Sequence, residues 1–250
     1  MPDILGWRRT FGVVTPSTNT VVQPEYDSMR PPGVTNHIGR MHIPNDPVKS
    51  DDDFAELIRR IDAALEGALE RVLTAEPDHI ILGISAESVW NGGMEAARAI
   101  QKRVDRMSGG RPFTQAADAL PVALDALGVR GKIGLVTPYF PVADAHLRAY
   151  LREIGCEVVA AKHLSRPGPV AIGQTTLEAL RDAVNEVNVK DAQVIVQFGA
   201  NLPFGALAAT GEAWLGKPVI AINTATYWHA LRSAGIMDRM QGHGRLLSEC

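Results

Sequence analysis

Cysteine is almost missing from this chain: Cys156 and Cys250 are the two in 250 residues. A single pair cannot build a disulfide framework, and neither has His or carboxylate neighbours at metal-ligand spacing. Long apolar runs are missing as well. HIILGI and AQVIVQFGA are far too short to cross a bilayer, and no apolar signal core follows Arg8 and Arg9, so a cytoplasmic location is expected. Charge of one sign is also lacking. With 25 Lys and Arg against 28 Asp and Glu, a formal net charge of -3 and 46% hydrophobic residues, the composition argues against disorder, a nucleic-acid surface or an acidic tail. A small soluble partner is the default, with neither nucleic acid nor membrane. No GxGxxG follows a strand, the GHG at 242–244 shows no helix after it, and HExxH and CxxC are absent, so no cofactor and no metal are expected.

Short β-branched runs alternate with longer segments of helical period, the pattern of an α/β protein with parallel sheets. Strands are expected over 11–15, 37–43, 79–85, 132–137, 156–162, 194–198 and 219–222. Helices are expected over 53–73, with apolar positions at Leu57, Ile61, Leu65, Leu69 and Val72, and over 143–154 and 226–234. The halves echo each other. GVVTP at 12–16 matches GLVTP at 134–138, and HIILGISAES matches VIVQFGANLP, with Gly83 against Gly199 at nearly the same spacing. A duplicated α/β unit follows.

In open parallel sheets ligands bind beyond the carboxyl ends of the strands. Four such ends here carry unusual polar groups: residues 15–20, residues 85–88, Tyr139 and Asn201. These hydroxyls and amides sit beside backbone N–H groups at helix starts, which favour anions. No Lys or Arg lies in the turns, so a carboxylate would be held by neutral donors, as in an oxyanion hole, and the same donors would stabilise an enediolate.

VVTPSTNT, GISAES, VTPY, FGANL and NTATYWHALRSAGI together resemble the aspartate/glutamate racemase superfamily, in its branch of maleate cis-trans isomerases and arylmalonate decarboxylases, over nearly the whole chain. The resemblance implies a pseudo-twofold duplicated pair of parallel-sheet α/β domains with the active site in the cleft between them. Residues 1–115, completed by 220–250, would form one domain and 116–219 the other. It implies a cofactor-independent enzyme. The two positions that carry family cysteines fall on Gly83 and Gly199, and glycine can be neither proton donor nor nucleophile. The carboxylate cradle of the decarboxylases falls on Ser85, Tyr139 and the Gly199-Ala200 turn; the substrate-contacting asparagines of the isomerases fall on Asn19 and Asn201, with Pro16, Ser17 and Thr18 in the same first motif. A further family asparagine appears as Pro169.

Without a thiol, Glu87, two residues past Ser85, is the candidate acid if burial raises its pKa, although it also suits a solvated first-turn position. Asn19 equally suits a helix cap, and Tyr139 a core anchor. His42 and His229 read as surface residues, Cys156 as packing, Trp90 and Trp228 as core or pocket wall, and residues 51–53 as a helix amino terminus. The expectation is a decarboxylase or related lyase acting on a small (di)carboxylic acid through an enediolate-like intermediate, with catalytic Glu87, Ser85 and Tyr139. A maleate-like cis-trans isomerase and a non-catalytic carboxylate-binding protein are the alternatives. A homodimer is compatible with such a fold.

Overall fold

The computed structural model describes residues 3–90 and 92–250. The chain runs β1 (Arg9–Pro16), α1 (Val22–Ser28), β2 (Val34–Met41), α2 (Asp51–Ala63), α3 (Leu65–Leu73), β3 (His79–Leu82), α4 (Met94–Ser108), β4 (Phe113–Thr114) and α5 (Ala116–Ala126). It then repeats the theme with β5 (Lys132–Thr137), α6 (Val142–Glu153), β6 (Glu157–His163), α7 (Pro169–Gly173), α8 (Leu177–Val187), β7 (Val194–Gln197), α9 (Gly205–Leu215) and β8 (Val219–Ala221). Helices α10 (Ile222–Ser233) and α11 (Arg245–Glu249) close the chain.

Two four-stranded sheets result, ordered β2-β1-β3-β4 and β6-β5-β7-β8, every pairing parallel. The identical order confirms the duplicated architecture. Central strands β3 and β7 are buried along their whole length, as parallel strands covered by helices on both faces must be, whereas the edge strands β2 and β6 are half-exposed. One hydrophobic core joins both sheets, running from Phe11 and Ile80 to Leu135 and Val196; a smaller one gathers Leu180, Val184, Phe204 and Leu207 on the far side of the second sheet. α10 leaves β8 at once and packs on the first half, where Tyr227 stacks on Tyr26 with ring centroids 4.7 Å apart and donates to Asn36 at 3.1 Å.

Three expectations need correction. The helix expected over 53–73 is two, because the chain bends at Ala64: α2 turns its apolar stripe to the interdomain cleft while α3 lies on β1 and β2. Strand β2 ends at Met41 rather than 43, since from there its backbone is engaged by Ser17. A helix, α11, does follow the GHG, but it is only five residues long.

Candidate active site

Both sheets turn the carboxyl ends of their strands to one cleft. After β1, Ser17 pins the neighbouring strand: its N–H donates to the Met41 carbonyl at 2.7 Å, and its Oγ pairs with the Ile43 backbone, accepting from N at 3.1 Å and donating to O at 3.2 Å. That engagement turns Ser17 away from the cavity, against expectation. Asn19 does two things. Its Oδ1 accepts from the N–H groups of Val21 and Val22, both at 2.9 Å, capping α1, and the side chain still lines the cavity, which leaves Nδ2 as the end able to meet a ligand. Arg40 braces this turn from β2, donating to the Asn19 carbonyl at 2.6 Å and to Gln23 Oε1 at 2.7 Å.

After β3, Gly83 spends its backbone prolonging the ladder: its N–H donates to Val14 O at 2.7 Å and its carbonyl accepts from Thr15 Oγ1 at 2.8 Å. Gly83 therefore lies behind the cavity wall, and the expectation that it contacts substrate is corrected. A Cβ there would sit 2.9 Å from Val22 Cγ1. Gly199 is tighter still. Its φ is +156°, and a Cβ would run into the ring of Pro138, with Cγ at 2.6 Å. At either position a side chain would force its neighbours to shift, more so at Gly199.

Three donors converge where the halves meet. The Ala200 N–H donates to Ser85 Oγ at 3.0 Å, and Ser85 Oγ lies 3.0 Å from the Tyr139 hydroxyl. All three groups are buried, and they satisfy one another. Burial holds the Tyr139 hydroxyl well above its ordinary pKa, so it stays a proton-bearing donor. The turn carrying Ala200 is itself clamped: Gln197 Nε2 donates to Gly199 O at 2.8 Å, and Asn223 Nδ2 donates to Ala200 O at 2.9 Å and to Glu25 Oε2 at 2.7 Å. Asn201 bridges the cleft, accepting from Thr20 N at 2.9 Å and donating to Pro169 O at 2.8 Å.

The cavity these turns enclose measures about 60 Å³. Of the residues singled out in the sequence, Pro16, Thr18, Asn19, Tyr139, Gly199, Ala200 and Asn201 line it, whereas Ser85 is fully buried and does not. Sequence reasoning missed the opposite wall, which is wholly apolar: Phe54, Leu57, Ile58 and Ile61 from one face of α2, with Ile43, Ile84 and Ile172. No charged residue among the described ones lines the cavity. Asn223 and Gln197 were missed too, although a glutamine closing the buried strand VIVQ was a visible signal.

Glu87 requires the main correction. It does not line this cavity; its carboxyl belongs to a second one on the other side of α2, about 460 Å³, with Asp62, Trp90 and Arg103. Burial, then the neighbouring Asp62, raises its pKa to about 8, partly offset by Arg103. Cys156 is buried before β6 with its thiol pushed up by burial, and Cys250 lies beside Ala126 O. His42 is exposed, and His229 Nδ1 meets Thr114 Oγ1 at 3.3 Å, away from the cavity.

A family model for arylmalonate decarboxylase matches residues 51–247. Maleate isomerase from Pseudomonas putida is 26% identical over 252 residues, covering 95% of this chain and 96% of that protein. Arylmalonate decarboxylase from Bordetella bronchiseptica is 29% identical over 173 residues, 68% of this chain and 70% of that one. Among solved structures, Nocardia farcinica maleate cis-trans isomerase bound to TRIS superimposes with a TM-score of 0.84 at 25% identity, covering 96% of this chain and 98% of that one. Unliganded arylmalonate decarboxylase shares the fold at a TM-score of 0.73, 22% identity, and 97% and 100% coverage.

Proposed function

From a chain that belongs to the arylmalonate decarboxylase family, we propose a lyase that removes carbon dioxide from a malonate-type acid bearing an apolar substituent. The observation that carries this reading is the division of one cavity, uncharged among the described residues, into a polar end, Ala200, Tyr139 and Asn19, with Ser85 bonded behind the first two, and an apolar end built by α2. One carboxylate is bound by the neutral donors. The second faces Ile and Phe side chains, where a charge is poorly solvated and neutral carbon dioxide is not. Breaking that C–C bond sends its electron pair through the α-carbon onto the retained carboxylate, and the resulting enediolate carries its extra charge where the three donors converge. Water then protonates the α-carbon, releasing the monoacid and hydroxide, because Glu87 is directed to the other cavity.

The broad match to maleate isomerases favours a second reading, cis-trans isomerisation of a diacid. That reaction needs a group to add to the double bond. Ser85 Oγ already accepts from Ala200 N–H, has no basic partner, and would leave a second carboxylate against an apolar wall. Proton NMR of one tube holding maleate and 2-alkyl and 2-aryl malonates separates the readings. Monoacid formation supports the lyase, fumarate supports the isomerase, and line broadening of the acids without turnover supports a carboxylate-binding protein.

A further inference from the structure

The second cavity is larger than the first and is not used by the proposed reaction. Its polar floor is Glu87 and Asp62; Ile58, Trp90 and Ile100 make apolar walls. Glu87 is 8% exposed; its Oε2 is buried without a donor among the described residues, and the carboxyl lies within hydrogen-bond reach of Asp62, a second acid. A buried carboxylate oxygen with no donor is costly and is normally paired. The two arginines lining the cavity do not supply the pairing. Arg59 donates its Nε and Nη2 to Glu56, both at 2.7 Å, and Arg103 is held by Asp62 and by Glu66 at 2.8 and 2.9 Å. Both guanidinium groups are therefore already paired. What the floor lacks is a compact donor of positive charge. Among the described residues no three His, Cys, Asp or Glu side chains gather to hold a metal ion, and an apolar wall beside two carboxylates suits an organic cation better than a hydrated one.

We propose that this cavity binds a primary ammonium ion with a short apolar body, its three N–H donors shared between Glu87 and Asp62 and its hydrocarbon laid against Ile58, Trp90 and Ile100. The site is separate from the carboxylate cavity, although Ile58 borders both and Ser85 and Glu87 share one turn. A protonated Glu87 donating to Asp62 would satisfy the same atoms without a ligand, and the test decides between them.

Isothermal titration with n-butylammonium chloride at constant ionic strength is the probe, with butan-1-ol as the uncharged body of the same shape. The expected result is saturable binding of the amine, none of the alcohol, and at least tenfold weaker binding in Glu87→Gln. Asp62→Asn, a second variant in case the first does not fold, is expected to weaken binding similarly. Tyr139→Phe, in the other cavity, should bind the amine as the parent does, so failure of the lyase reading leaves this result standing. Equal binding of amine and alcohol, full binding in Glu87→Gln, or no saturable binding of the amine would overturn the proposal.

Discussion

Ser85 and Glu87 stand two residues apart in one turn, the first buried behind an uncharged cavity and the second lining a charged one. The uncharged cavity has no charged side chain among the described residues and is sealed by hydrogen bonds that cross between the halves. The Glu87 cavity is larger and lined by carboxylates and guanidinium groups. A neutral cavity can stabilise charge that appears during a reaction, because its dipoles are fixed and uncompensated by counterions. In the charged cavity existing ion pairs already spend those interactions. Position next to a motif therefore says little about role; which side of α2 a side chain faces says more.

The sharpest way to break this contrast is to remove a donor from the neutral cavity. Tyr139→Phe and Ser85→Ala should each lower kcat by roughly 10²- to 10³-fold, the scale for loss of one oxyanion-hole donor. Turnover within a few-fold of the parent would mean that the three donors do not hold the reacting carboxylate. Next comes the cavity's apolar end. Leu57→Lys places an ammonium there and should cost about tenfold in kcat/KM for malonates with apolar arms, the range of one hydrophobic contact; an unchanged ratio between apolar and polar malonates would remove α2 from specificity. Restoring a family thiol is expected to damage rather than help. Gly199→Cys drives a Cβ into Pro138, an overpacking cost of about 1–3 kcal/mol, read as a lower denaturant midpoint; a variant as stable as the parent would show that this turn relaxes.

The smallest effect tests the charged side. Glu87 is pushed up to about 8 in the folded protein, chiefly by burial, against an ordinary 4.5. Between those values the folded state binds more protons than the unfolded one, so stability is greatest at the acid end and falls as pH rises through the window. Glu87→Gln should flatten that fall while leaving turnover of the parent substrate unchanged. A parent whose unfolding midpoint rises from pH 4.5 to 8, with the variant following it, would show that Glu87 titrates normally.

The α/β alternation and the duplication were legible because parallel strands with both faces covered read as apolar runs, and the two halves repeat them in the same order. Strand β4 was not, because two residues carry no period. The bend at Ala64 has no breaker residue to announce it; it serves packing that only the tertiary structure defines. In the site, Ser85, Tyr139, Ala200 and Asn19 were legible through the motifs at the strand ends. The apolar wall was not: spacing of 54, 57, 58 and 61 is that of any amphipathic helix, and nothing in it separates a cavity lining from core. Glu87 was misplaced for a related reason. Side chains in an irregular turn follow no period, so burial could be anticipated but not direction.

The most direct test of the neutral-cavity account is turnover of a 2-aryl-2-methylmalonate in D₂O, followed by proton NMR and chiral chromatography. Loss of one carboxyl group, one deuterium at the α-carbon and equal amounts of both enantiomers are expected, since water and not a side chain on one face delivers the proton. A single enantiomer would contradict delivery by water alone and call for a side-chain acid in the cleft. No decarboxylation, with maleate converted to fumarate instead, would contradict the lyase reading itself.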